Sequence, residues 1–404
     1  MKITPIEDIT PYCNIFEKDS NGREINVYKL RYAIPTGESL YYPNTLFYSD
    51  DTKKLYNPIN EKTMSLKGVD DNDTFETSSY PFIFTEPFPV FFFIYNTDNY
   101  FHFVYDTLPY LITYFELKKK EPYLKLLMNY PNKSKKEFYT FVSEFLEIMG
   151  ITQDDIRIID EQTTYSEIYI STSYTHGIDS NLPPRAEIYD FYKKIAEVCS
   201  FRHSPQPQKI YVSRRTWIHA NFGNIGTNYT SRRVMVNEDD VVKLVTSLGY
   251  TEVFTELLTT SEKIAMFANA KSVVGAIGGG LCNVLFSDKN CRLIAIVSPY
   301  FLDVNKRFLH SFKTVNAELY TDTWHNELTS FKRYMRVKYK DIVGEIIGVD
   351  DDNLTIVYSN TKVAGWNNDV EYESIVIPSS ECKKLDYGLN SAFKISVEAL
   401  KKYL

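Results

Sequence analysis

The sequence has no apolar run long enough to cross a bilayer. Its longest, FPVFFFIY at positions 88–95, falls far below the ~20 residues that a membrane helix needs. The opening, MKITPIEDITPYCNIF, lacks the basic stretch and apolar core of a secretory signal, so the sequence predicts a cytoplasmic protein with no membrane span. Cysteine is scarce. Cys13, Cys199, Cys282, Cys291 and Cys382 are odd in number, scattered and without CxxC spacing, which excludes a disulfide framework or a cysteine-based zinc site and fits a reducing compartment. The six histidines form no HExxH or similar metal-ligand spacing. GxxxxGK[ST] is absent, which argues against a P-loop NTPase. So is a GxGxxG after an early strand with an acidic residue about twenty positions on, which argues against a Rossmann oxidoreductase. Positive charge is short as well. A net charge of -7 and a pI near 5.6 exclude a general nucleic-acid binder, so any anion site has to be local.

What is present is a globular composition, 44% apolar and 24% charged over 404 residues, enough for two domains and an extra segment. Residues 24–60 read as short strands with turns, and FPVFFFIY as a strand buried on both faces. A helix is predicted from about Tyr100. LKLLMNY (124–130) then gives a strand, KSKKEFYTFVSEFLEIMG a helix stopped by Gly150, and DIRIID and SEIYIST two further strands. This alternation predicts a parallel sheet. PRAEIYDFYKKIAEVCSF (184–201) is a helix, and the proline-rich HSPQPQ a linker. A second series follows. KIYV is a strand, and Asn237 caps a helix with Val241, Leu244, Val245 and Leu248 on one face and Gly249 at its end. TEVF is a strand, Thr259 with Glu262 forms a capping box, and KSVVGA and RLIAIVSP are strands. The predicted fold class is α/β, with two Rossmann-like lobes and a cleft between them. Residues 1–200 form the N-terminal lobe, 201–325 the second lobe and 326–404 a small C-terminal β/α extension, with a hairpin around Asp351-Asp352-Asn353 and a final helix in SAFKISVEALKKYL.

Three features carry chemistry. In VVGAIGGGLCN (273–283), Gly278, Gly279 and Gly280 let backbone N–H groups approach a ligand, and a helix from near Leu281 aims its positive end there, which suits a diphosphate. Ser213 and Arg214, just past the strand KIYV, should face the cleft, because ligands of open α/β sheets sit at the carboxyl ends of strands. With Arg233 they offer the planar donors that suit phosphate, while Glu238 can accept from ribose hydroxyls. In HFVYDTLPYL (102–111), His102 and Asp106 are four residues apart and share one helical face, as a general base requires, and Pro109 removes a backbone hydrogen bond nearby. His176-Gly177 is a further candidate cleft lining. The acidic runs Asp50-Asp51, Asp70-Asp71 and Asp350-Asp351-Asp352 read as turns and not as cation sites.

Taken in order, NYFHFVYDTLPYL, KIYVSRR, RRVMVNEDDVVKLVTSLGY and EKIAMFANAKSVVGAIGGGLCNVLFSDKNCRLIAI resemble the family 61 glycosyltransferases from about residue 90 to 325. The resemblance implies a GT-B architecture and metal-independent, inverting transfer, for glycan biosynthesis, of a sugar from a nucleotide donor, UDP-linked, to a hydroxyl of a glycan or protein acceptor. No cofactor is implied beyond this nucleotide-sugar co-substrate. It places the donor on Ser213, Arg214, Arg233, Asn237, Glu238 and the three glycines, and Asp106 with His102 on the acceptor side. The family pattern G-x-H-G-A-G-L-T-N is departed from at Ile277, Gly279 and Cys282. That departure keeps open an alternative, a catalytically silent nucleotide- or sugar-binding protein on the same fold.

Overall fold

The computed structural model describes residues 3–36, 46–49, 51–52, 54–57, 84–94, 99–130, 136–159, 163–175, 182–200, 206–215, 233–299, 301–304, 306–325, 331, 336–359, 372–384 and 392–404. The chain divides into two compact units, residues 1–195 and 196–404. The sequence reading drew the boundary at 200/201, beyond the helix Glu187–Ser200. His176-Gly177, Asp50, Asp70-Asp71 and residues 203–205 of HSPQPQ lie outside the described residues.

The first unit is built on one ten-stranded sheet, and that sheet is mixed where the alternation predicted a parallel one. Its parallel part runs Thr163–Ser171, Val90–Phe92, Lys125–Met128, Ile156–Ile158. On the other side of Thr163–Ser171 the long strand Ile25–Thr36 pairs antiparallel and leads into the Leu46–Ser49 and Lys54–Asn57 strands. Val90, Phe91 and Phe92 are all buried, as a continuous apolar run requires. The helix Thr140–Ile148 buries Phe141, Val142, Phe145 and Leu146. Gly150 stops it in a left-handed conformation at φ 71°, which a side chain would strain.

The second unit contains a five-stranded, wholly parallel sheet ordered Thr251–Val253, Lys209–Val212, Ser272–Ala276, Arg292–Ile296, Asn316–Tyr320. Numbered along the chain this is the order 2-1-3-4-5 of a doubly wound sheet. Thr259 and Glu262 form the predicted capping box of the helix Thr260–Asn269, and Gly249, at φ 83°, follows the helix Glu238–Ser247. A separate antiparallel sheet carries the predicted hairpin, with Ile342–Asp350 and Asn353–Ser359 joined through Asp351-Asp352 and its own core of Val337, Ile346, Leu354, Ile356 and Ile377.

The terminal segment differs from the long helix expected of SAFKISVEALKKYL. Phe393–Ile395 is a strand and Val397–Lys401 a five-residue helix. Both belong to the core of the parallel sheet, where Phe393, Ile395 and Leu400 pack with Tyr211, Val241, Val245, Val274 and Ile294. Phe393 exchanges backbone hydrogen bonds with the 234–236 segment, and the Tyr320 hydroxyl donates to the Ser396 carbonyl at 2.6 Å. All five cysteines are free thiols, and among the described residues no helix is long and apolar enough to cross a membrane. Phe393 is fully buried. Replacing it with Ala is therefore expected to destabilise the second unit by about 3–5 kcal/mol, the range for a large aromatic removed from a core, as read from urea unfolding.

Candidate functional site

In the second unit, the carboxyl ends of Lys209–Val212 and Ser272–Ala276 lie side by side. In the order 2-1-3-4-5 these strands flank the point where connections leave to opposite sides, so nothing of the sheet covers the crevice there. Ser213 and Arg214 follow the first strand, and Ile277 and Gly278 the second. The Arg214 guanidinium lies so close to Gly278 that a Cβ on that glycine would stand 2.4 Å from Nη1, and Nη1 donates to the Ile277 carbonyl at 3.4 Å. Gly280 is equally constrained, because a Cβ there would stand 2.7 Å from the Thr255 hydroxyl. The glycines thus make room for side chains of the protein itself.

The segment Gly279–Phe286 is a 3₁₀-helix starting at Gly279, where the sequence suggested a helix from near Leu281. Its first N–H groups lack intrahelical partners. Buried Asn283 donates to the Gly280 carbonyl at 2.8 Å and closes the loop from below. Ile277 is 2% exposed, so the side chain at this position packs inward.

Glu238, at the start of its helix, is 1% exposed. Its Oε1 accepts from the Arg214 backbone N–H at 2.8 Å and from the Tyr211 hydroxyl at 2.9 Å, which ties strand, loop and helix together. Burial pushes its pKa up to about 7, against the opposing pull of those two donors and of Arg214. Glu256, beyond the end of Thr251–Val253 and within electrostatic reach of Arg214, is likewise raised to about 7 by burial. Arg214 therefore lies within electrostatic reach of two carboxyls that can take up protons near neutrality.

The other predicted residues divide. Ser213 is buried, its N–H prolongs the ladder to the Val253 carbonyl, and its hydroxyl accepts from the Arg215 N–H at 3.2 Å. The side chain of Asn237 does not cap its helix. Its amide donates to the Ile395 carbonyl at 2.9 Å and accepts from the Ile395 N–H at 3.2 Å, holding the terminal strand. Arg233 has a contact of another kind, to an aromatic ring. Its backbone is in the left-handed region at φ 54°, and its guanidinium lies 4.5 Å from the Phe301 ring centroid. Arg215 is held by Glu252 in a bidentate pair and by Asp239 at 2.6 Å. Thr255 and Glu256 are not legible in the sequence, since only the strand order brings the end of Thr251–Val253 beside Arg214, and Tyr211 reads there only as part of a buried strand.

In the first unit, Tyr100–His102 is a short helical turn capped by the Asn99 side chain, and it passes into a π-helical turn at Phe103–Thr107. The Leu108 N–H reaches back five residues to the Phe103 carbonyl at 2.8 Å. In that register residue 109 would serve the Val104 carbonyl, but Pro109 has no N–H. The Tyr192 hydroxyl supplies the missing donor, at 2.7 Å from the Val104 oxygen. The π turn brings Asp106 inside, 3% exposed. Its Oδ2 lies 2.8 Å from His102 Nδ1, and its Oδ1 accepts from the Thr175 hydroxyl at 2.8 Å. The His102 side chain is 37% exposed. Thr175 follows the carboxyl end of Thr163–Ser171, whose neighbour Val90–Phe92 leads into the Asp106 segment, so the two residues meet beyond the carboxyl ends of two interior strands. The sequence reading named His176 beside it and passed over Thr175.

A mixed α/β fold with parallel sheets fits the class of glycosyltransferases. Residues 100–294 match the family described as Glycosyltransferase 61, a stretch that contains every candidate residue named above. The match bears out the resemblance read from the motifs and supports a family 61 glycosyltransferase. Among curated proteins, none matches the chain.

Two outcomes are expected at this site. Gly278→Ala displaces only the far end of a flexible arginine, so it should leave the melting temperature within a few degrees of wild type while weakening anion binding. Glu238→Gln keeps an acceptor for Arg214 and Tyr211 but cannot ionise. A carboxyl raised to about 7 in the fold, from an ordinary value near 4.5, makes stability fall as pH rises between those values. The melting temperature of Glu238→Gln relative to wild type should therefore climb from pH 5 to pH 8, and an unchanged difference would rule out this titration.

Proposed function

We propose that the protein is an inverting, metal-independent glycosyltransferase of GT-B architecture, transferring a sugar from a UDP-linked donor to a hydroxyl of a glycan or protein. The observation that carries this reading is the Arg214 guanidinium set against Gly278 at the switch point of the parallel sheet, within the family-matched stretch. Arginine offers a rigid fork of donors for a diphosphate, and the first N–H groups of the 279–286 helix add to it. In this reading Ser213, Arg214, Arg233, Glu238 and Gly278 to Gly280 hold the donor, and Asn237 contributes by fixing the start of the helix that bears Glu238.

The chemistry is a direct displacement. The acceptor oxygen bonds to the anomeric carbon on the face opposite the diphosphate, and the carbon–oxygen bond to the diphosphate breaks. The nucleotide leaves with that electron pair. Its developing charge is met by arginine and backbone donors, which is how such a step proceeds on fixed protein dipoles. The proton of the acceptor hydroxyl goes to the His102–Asp106 pair.

The test is a panel of nucleotide sugars assayed by calorimetry for binding and by nucleotide release for turnover. UDP-sugar binding with release of UDP supports the reading. Binding without release, with any acceptor, favours the silent binder that the Ile277 departure allows, and no binding overturns the donor site. Arg214→Ala should weaken donor binding by about 10- to 100-fold, the loss of a charge-assisted contact.

A further inference from the structure

We propose that Thr175, Asp106 and His102 form a proton-handling relay in which the imidazole of His102 takes the acceptor proton at Nε2, while Asp106 and Thr175 are positioning residues. The inference rests on the transferase reading and divides the labour within its acceptor side. Three observations set the order of the relay. Asp106 is 3% exposed, and both of its oxygens are engaged, one by Thr175 and one by His102. At that burial the carboxylate has almost no surface on which to meet a substrate hydroxyl. The His102 side chain, by contrast, is 37% exposed. In the neutral ring, a nitrogen facing an ionised carboxylate, which only accepts, carries the proton, and this arrangement puts it on Nδ1 and leaves the lone pair on Nε2.

Thr175 is anchored well enough to serve as the far end of this relay. It is buried, its carbonyl accepts from Arg23 Nη2 at 3.1 Å, and its N–H donates to the Ser173 hydroxyl at 3.2 Å. The same Arg23 donates to the Pro183 and Leu182 carbonyls, and the Arg185 N–H donates to the Tyr174 carbonyl, so the turn after the strand is held on both sides. With its backbone fixed, the threonine hydroxyl holds one carboxylate oxygen in place and leaves the other aimed at the ring. The π-helical register of Phe103–Thr107 does the same from the opposite side. During transfer the hydroxyl proton moves to Nε2 as the new carbon–oxygen bond forms, Nδ1 keeps its proton, and the resulting imidazolium is stabilised by Asp106 across 2.8 Å.

The test compares wild type with His102→Gln, Asp106→Asn, Thr175→Val and Thr175→Ser in the full chain, by release of UDP from a UDP-sugar panel and by ¹⁵N–¹H correlation spectra of the imidazoles. His102→Gln identifies the His102 signals. The relay predicts an Nδ1–H tautomer in wild type and its reversal in Asp106→Asn, whose amide presents a donor to the ring. It also predicts a fall in kcat of roughly a thousandfold for both His102→Gln and Asp106→Asn with KM little changed. Thr175→Val should lose roughly tenfold in kcat, and Thr175→Ser should recover it. An Nε2–H tautomer in wild type overturns the relay, as does a His102→Gln enzyme that keeps most of its turnover while Asp106→Asn has none. Absence of turnover by wild type with every donor counts against the transferase reading, and the tautomer then decides the proton arrangement by itself.

Discussion

The central constraint in the second unit is the position of the strand Lys209–Val212, flanked on both sides by parallel neighbours whose connections depart in opposite directions. A sheet wound in this order cannot cover the carboxyl end of that strand with its own crossovers. Everything nearby follows from the vacancy of cover: Arg214 leaves the strand into it, Gly278 gives up its side chain to it, and Glu238 reaches in from a helix start to pin the loop. The buried carboxylate is costly by itself. It is retained with two donors on one oxygen, an arrangement that fixes the loop backbone while leaving the guanidinium of Arg214 to lie along the glycine turn.

The first unit reaches a comparable result by a different local device. A regular α-helix through residues 100–118 would be interrupted at Pro109 with a stranded carbonyl. The π turn shifts the register by one residue, Tyr192 satisfies the Val104 carbonyl, and the extra residue turns Asp106 inward. The polar pair is then read from two directions, by a helix-borne histidine and by a threonine on an adjacent strand end. In both units the site is built where parallel neighbours present their carboxyl ends.

Much of this was legible in the sequence because it is local. The i, i+4 spacing of His102 and Asp106, the Thr259–Glu262 box, the glycine stops at 150 and 249 and the turn at Asp351-Asp352 all depend on a few consecutive residues. What was not legible depends on pairing over distance. Apolar alternation in residues 24–36 cannot say that this strand joins the sheet antiparallel and makes it mixed. Nor can it say that Thr175 lands beside Asp106, or Thr255 beside Gly280, since strand order decides both. Asn237 shows the ambiguity of residue type: its place before a helix marked it as a cap, yet its amide serves a strand about 160 residues away in sequence. The segment FKIS was absorbed into a helical pattern because three residues are too few to show a period of two.

The antiparallel pairing of Thr323–His325 with Phe393–Ile395 places residues 325 and 393 directly opposite each other. The chain thus leaves the parallel-sheet core and returns to it at a single point, with the second sheet and its own small core in between. In topological terms that sheet is an insertion in a hairpin of the lobe. Loop-closure entropy grows only slowly with the length enclosed, so such a position tolerates replacement, shortening or exchange of whatever it carries. The lobe asks of the inserted sequence only that its two ends meet, which leaves the insert free to diverge at its own rate while the parallel-sheet framework stays fixed.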